Sequence, residues 1–202
     1  MKKFVLCLFL LVFLQSCYYP VHKDYGIYSK SLVFSGDKKW LINTIRTTAD
    51  SHHREMMALK TLELFQNLSH NKAYPIETVK QGDIIKGTIP ADPQTEDLEA
   101  LEALKTDTDF DYLVNISTFK VRNGLDGALG TQYEYQKNET FAMMEVYDIK
   151  TLKKIYSLKS YSEVSVDKGQ KATIFTPGTE MMTMKNFMSL LKSVKKNAVI
   201  TY

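Results

Sequence analysis

Three stretches in the second half of the chain constrain the fold most. They are Asp111–Val121 (DYLVNISTFKV), Gln132–Ile149 and Lys154–Val166. All three are rich in β-branched and aromatic residues. In the middle one Phe141, Met143, Tyr147 and Ile149 alternate on one face, the two-residue period of a strand. Only a loop bearing Gly124, Gly127 and Gly130 and a short turn, Asp148–Leu152, separate them. Connections that short join antiparallel neighbours, because a parallel pair needs a crossover of a dozen residues or more. The sheet must therefore contain an antiparallel run.

The first half alternates strand with helix. Trp40–Ile45 reads as the first core strand. Asp50 and Ser51 are N-cap candidates for a helix to about Leu68. Its expected stripe is Met56, Leu59, Leu62, Phe65 and Leu68, widened by Met57, Ala58 and Leu64. Tyr74–Val79 reads as a short strand, with Pro75 marking a start or an edge. Thr95 caps a helix over Glu96–Lys105. Thr179–Ala198 is an amphipathic helix with Met184, Phe187, Met188, Leu191, Val194 and Ala198 on its apolar face and lysines near its C-terminus. The expected order is β-α-β-α-β-β-β-α. That is one α/β (α+β) domain over 40–202, a mixed β-sheet covered by helices.

At 202 residues, 44% hydrophobic and 24% charged, the chain can bury an ordinary core. It is too apolar for disorder and too polar for several membrane spans. A formal net charge of +3 is no nucleic-acid footprint. The N-terminus stands apart. Lys2 and Lys3 precede eleven apolar residues, Phe4–Leu14. A helix needs about 20 such residues to cross a bilayer, so this run suits a signal peptide instead. Directly after it stands Leu14-Gln15-Ser16-Cys17. This motif resembles the lipobox of bacterial lipoproteins. The resemblance implies a signal peptide over 1–16, cleavage between Ser16 and Cys17, and fatty acylation (palmitate-type chains) at Cys17. Tyr18, rather than Asp, follows Cys17, which by the same resemblance favours the outer membrane. Cleavage would leave 24 basic against 23 acidic residues, and no cysteine beyond Cys17. Residues 17–39, with Pro20, Gly26 and Gly36, read as a tether reaching roughly 70 Å if fully extended, part of which could add an edge strand.

No catalytic set emerges. His22, His52, His53 and His70 lie in no metalloprotease, hydrolase or phosphate-loop frame. His52 and Glu55, with Met56 nearby, share a helix face, but two candidates fall short of the three or four ligands a metal needs. The pairs Met56-Met57, Met143-Met144 and Met181-Met182 fit core packing better than copper. Asp107-x-Asp109-x-Asp111 opens like a calcium loop and then fails, with Tyr112 where glycine is required and Thr118 where a bidentate glutamate is required. The expectation is a non-enzyme with no cofactor and no metal.

Glu145–Tyr156 (EVYDIKTLKKIY), together with the entry Phe110-Asp-Tyr-Leu-Val114, resembles a hairpin shared by the curli-secretion lipoprotein, the lipoprotein activators of penicillin-binding proteins and the TolB amino-terminal domain. In that group Asp148 and Thr151 would brace the turn. A glycine usually follows the threonine; here Leu152 stands there. The resemblance implies a periplasm-facing module that binds other envelope proteins and often forms homo-oligomers. Its expected partners are the membrane, through the lipid, and an unidentified envelope protein. The expected contact is the Gly124–Lys137 loop with Tyr133 and Tyr135, since exposed tyrosines favour interfaces. The alternative is a carrier for a small ligand or metal, which would need a pocket between sheet and helices.

Overall fold

The computed structural model describes residues 21–26, 31–79, 95–125, 136–166 and 176–201. In chain order these form β1 (Val21–Gly26), β2 (Val33–Ser35), β3 (Trp40–Ile42), β4 (Arg46–Thr47), α1 (Ser51–Leu68), β5 (Ala73–Pro75), α2 (Thr95–Asp107), β6 (Tyr112–Asn123), β7 (Gln136–Asp148), β8 (Lys153–Val166), α3 (Thr179–Asn197) and β9 (Val199–Thr201). The expected mixed sheet covered by helices is present. Its strand order is β1-β8-β7-β6-β3-β5, with β4 also on β6. The β6-β7-β8 run is antiparallel, and β1 adds to it antiparallel. On the other side β3 lies parallel to both β6 and β5. β2 and β9 form a separate parallel pair.

The helices take opposite faces for a topological reason. The crossover β3-α1-β5 moves outward from β3, whereas β5-α2-β6 returns across it. With both crossovers right-handed, their helices must land on different sides. Trp40 and Ile42 duly face a core shared with Met57 and Phe65 of α1 and Phe187, Leu190 and Val194 of α3. Leu41, between them, faces Leu101 and Leu104 of α2. Being buried on both faces, β3 is apolar throughout.

Several elements differ from expectation. The first core strand stops at Ile42, because Asn43 bends its side-chain oxygen to the Thr44 amide. Tyr74–Val79 is strand only to Pro75; Ile76–Thr78 is a 3-10 turn. α1 starts and stops where expected, capped by Asp50, but its buried face is Met57, Thr61, Phe65 and Leu68. A strict three-residue spacing drifts by about 60° per step around a helix, so Leu59 ends up 61% exposed. β7 is packed on both faces. Ala142, Met144 and Val146 face the larger core, while Tyr147 and Ile149 face α2. The expected tether is largely structured where it is described. β1 joins the sheet edge, and Phe34 stacks on Trp40 with ring centroids 4.6 Å apart. Two apolar residues, Leu32 and Phe34, had a core to enter.

The lower end of the sheet, where β6 begins, is knotted around Asp111. Its carboxylate accepts from the Lys39 amide and from the ammonium groups of Lys38 and Lys150. Its backbone carbonyl accepts from Ile149. Burial pushes the carboxyl upward, and the Lys150, Lys39 and Lys38 donors more than offset it, so it titrates below the usual range. Beside it the hairpin turn has the expected brace, Thr151 N–H to Asp148 Oδ1 at 2.9 Å. Leu152 adopts φ 57°, the left-handed conformation that glycine supplies in the resembling hairpins.

Two outcomes follow. Asp111→Asn should cost about 1–3 kcal/mol in urea denaturation at neutral pH. Because the native carboxyl titrates below its unfolded value, that contribution is present above the unfolded pKa and is lost as pH falls through the folded one; the gap between variant and wild type should close on acidification. Leu152→Gly relieves roughly 1 kcal/mol of left-handed strain and gives up a similar amount of packing against the α2-side core. It should stay within about 1 kcal/mol of wild type, whereas β-branched Leu152→Val should lose more.

Candidate functional site

The upper end of the molecule gathers the features that bear on function. There β6 ends, β7 begins and β8 ends, and α1 and α3 both start. β1 also enters there, with Val21 opposite Glu163 near the top of β8. Six consecutive residue pairs bind β1 to β8. A side-chain clamp adds to them. His22 Nδ1 lies 3.0 Å from Ser162 Oγ, and His22 Nε2 lies 3.1 Å from Ser189 Oγ on α3. Ser189 Oγ donates to Asp24 Oδ2 at 2.8 Å. Histidine, serine and aspartate meet here, but not as a catalytic triad. Asp24 Oδ1 approaches the same ring nitrogen as Ser189, 3.3 Å away, so it cannot orient the ring from the opposite nitrogen. The group holds the edge strand to sheet and helix.

At the start of the two long helices, Asp50, His53 and Glu180 converge. His53 Nδ1 is 3.0 Å from each Asp50 oxygen and 3.3 Å from Glu180 Oε1. Asp50 Oδ1 also accepts the His53 backbone N–H, the N-cap bond of α1. That bond, followed by the His53 ring, holds the Asp50 carboxyl below its usual range. Among the described residues this set of three could hold a cation. It uses His53, not the His52 and Glu55 that were set aside as too few ligands. Glu180, 127 positions from His53, could be found only through the tertiary fold.

The sheet face toward α2 carries a buried ion pair. Lys154 Nζ donates to Glu145 Oε1 at 2.7 Å, and Tyr147 OH donates to Oε2 at 3.3 Å. Both charged side chains are at most one-tenth exposed. Higher on the same face Lys137 bridges Glu139 and Glu163 at 3.0 and 2.9 Å. Tyr161 OH donates to Glu163 Oε2 at 2.6 Å. Burial, then that carboxylate, pushes the Tyr161 phenol well above its ordinary value. Lys159 lies over the Phe141 ring, 4.3 Å from its centroid. Alternation along β7 and β8 gives this face in the sequence, but not the pairing of Glu145 with Lys154 across the turn.

The anticipated functional residues fall as follows. Ser16, Cys17, Tyr133 and Tyr135 lie outside the described residues. The segment carrying the two tyrosines lies between Leu125 and Gln136, at the upper end, where the Gly124 N–H donates to Lys137 O. The acids of the calcium-like run diverge, with Asp109 pairing with Lys39 and Asp111 turning inward to Lys38 and Lys150. Of the methionine pairs, Met57, Met144 and Met182 are buried, while Met181 is exposed.

No family model and no curated protein matches the chain. Solved structures similar to it include a PelC dodecamer from Paraburkholderia phytofirmans, at 10% identity and TM-score 0.43, covering 89% of this chain and 99% of that one. Lipoprotein GNA1162 from Neisseria meningitidis is similar at 13% identity and TM-score 0.39, covering 79% and 99%. The hypothetical protein CT253 from Chlamydia trachomatis is similar at 9% identity and TM-score 0.39, covering 79% and 97%. With scores below 0.5, no residue role is carried over from them.

Removing one member of the buried pair takes away the opposite charge that lies 2.7 Å from the other. Glu145→Gln should therefore cost about 3 kcal/mol in denaturant unfolding. The double change Glu145→Gln with Lys154→Met should recover most of that loss.

Proposed function

We propose that this protein is a lipid-anchored envelope lipoprotein, facing the periplasm, probing no substrate but binding other proteins in envelope assembly or secretion. The observation that carries it is the run from Phe4 to Cys17: a signal-type apolar segment ending in Leu-x-Ser-Cys. An ordered strand begins four residues after Cys17, so an anchor there would sit close to the fold. Tyr18 points to the outer membrane as destination. Tyr133 and Tyr135, in the segment between Leu125 and Gln136 at the upper end, are the proposed protein contact, reached by a partner at the membrane surface; self-association is a further mode. The polar clusters serve as structure: the His22 group clamps an edge strand, and Glu145–Lys154 is a buried ion pair.

Fatty-acid labelling in cells is the test. Wild type should incorporate labelled palmitate and sediment with membranes; Cys17→Ala should do neither. A Cys17→Ala protein that remains in the membrane fraction would contradict the anchor. A photocrosslinker at Tyr133 should capture a discrete envelope protein, and its failure to capture any would count against that contact.

A second reading, cation binding, is favoured by the convergence of Asp50, His53 and Glu180. Titration calorimetry of the purified protein with Zn²⁺ should then show micromolar binding that Glu180→Ala abolishes. Absence of heat would remove it.

A further inference from the structure

The distance from lipid to fold is bounded by chain length. Val21 is already paired with Glu163, and only Tyr18, Tyr19 and Pro20 stand between it and Cys17. Four residue steps span at most about 14 Å, even fully extended. The lower end of the sheet lies ten residues further along β8, from Glu163 to Lys153, or about 33 Å away. A lipid on Cys17 can therefore lie beside the upper end and cannot lie beside the lower one. The domain has no long leash on which to turn over.

Three apolar side chains are exposed at the upper end. Val21 and Met181 are 54% and 67% exposed. Val121 is the extra residue of a bulge, since pairing with β7 skips from Lys120 to Arg122. A bulge re-aims a side chain away from the ladder, and Val121 is half exposed. Lys23 and Arg122 are exposed at the same end, Arg122 with Glu139 4.0 Å away, and the carboxylates of Asp50 and Glu180 are half exposed there too. Val33, Val199 and Ile200 are likewise exposed, on the β2–β9 pair, so the reach of the chain from Cys17 rather than apolar exposure selects the end. A surface held by a short link needs little affinity of its own, because the link keeps its local concentration high.

We infer that the upper end of the domain, at Val21, Val121 and Met181, rests on the phospholipid surface, and that the Asp111 end projects away from it. This rests on Cys17 carrying the lipid. Contact with a bilayer would also place the Asp50–His53–Glu180 group and the exit of the tyrosine loop at the headgroup level, and leave the Lys150–Lys153 turn free for soluble partners.

The mature chain has no cysteine beyond Cys17, so single labels are unambiguous. Lipidated Val121→Cys, Met181→Cys and Lys153→Cys proteins, each carrying an environment-sensitive fluorophore, are reconstituted in vesicles of phosphatidylethanolamine and phosphatidylglycerol. A fraction of the lipid carries a nitroxide quencher near the headgroup. Flotation reports anchoring separately. The inference predicts loss of emission at positions 121 and 181 and none at 153. Floating protein quenched at none of the three positions, or at 153 instead, overturns the orientation while leaving the anchor intact. Protein that does not float overturns both.

Discussion

The antiparallel ladder of β6, β7 and β8 is the interaction on which the rest of the molecule depends. β6 and β7 are paired from Tyr112–Asp148 to Asn123–Asn138, and β7 and β8 along the whole of both strands. Every other layer uses that platform. β3 and β4 dock on the free edge of β6, β1 docks on the free edge of β8, and α3 lies across the middle. Long-range pairing of this kind is slow to form and costly in chain entropy. The tight Asp148–Leu152 turn reduces that cost on one side, even though Leu152 must adopt a left-handed backbone to close it.

The ladder also gives the molecule two unlike ends. At the lower end charge is neutralised within the protein, with Asp111 and Asp109 meeting Lys38, Lys39 and Lys150. At the upper end two long helices begin, their partial positive charge facing Asp50 and Glu180. The chain enters at that end, and the edge strand is fixed there by His22. A lipid at Cys17, as proposed, would take its position relative to the fold from one fact: the first described strand belongs to the sheet. So anchored, the domain would present a defined face to the membrane rather than sweep a volume around its lipid.

Much of this was legible in the sequence, where local signals were strong. The Asp50 cap, the span of α1, the three long strands and the Asp148–Thr151 brace all follow from spacing and side-chain chemistry within a few residues. The buried stripe of α1 was misplaced because five apolar residues at three-residue spacing look like a face yet wind around the helix. An edge strand from residues 17–39 was expected and β1 supplies it, but its place was hidden because VHKDYG has little apolar character. Its place is secured by backbone pairing and by His22, whose partners Ser162 and Ser189 are remote in sequence. The Glu180 contribution to the Asp50–His53 group was invisible for the same reason. Residues 18–39 contained a clue in Leu32 and Phe34, apolar groups that a solvated tether has no use for.

The central claim is that β1 is part of the folded sheet, so that Cys17 is held close to it. Amide hydrogen exchange on the lipidated, full-length mature protein tests this directly. The account predicts that the β1 amides facing β8 exchange as slowly as those along the β8 edge they pair with. Exchange of Val21–Gly26 at the rate of an unstructured peptide would contradict it and restore a free tether.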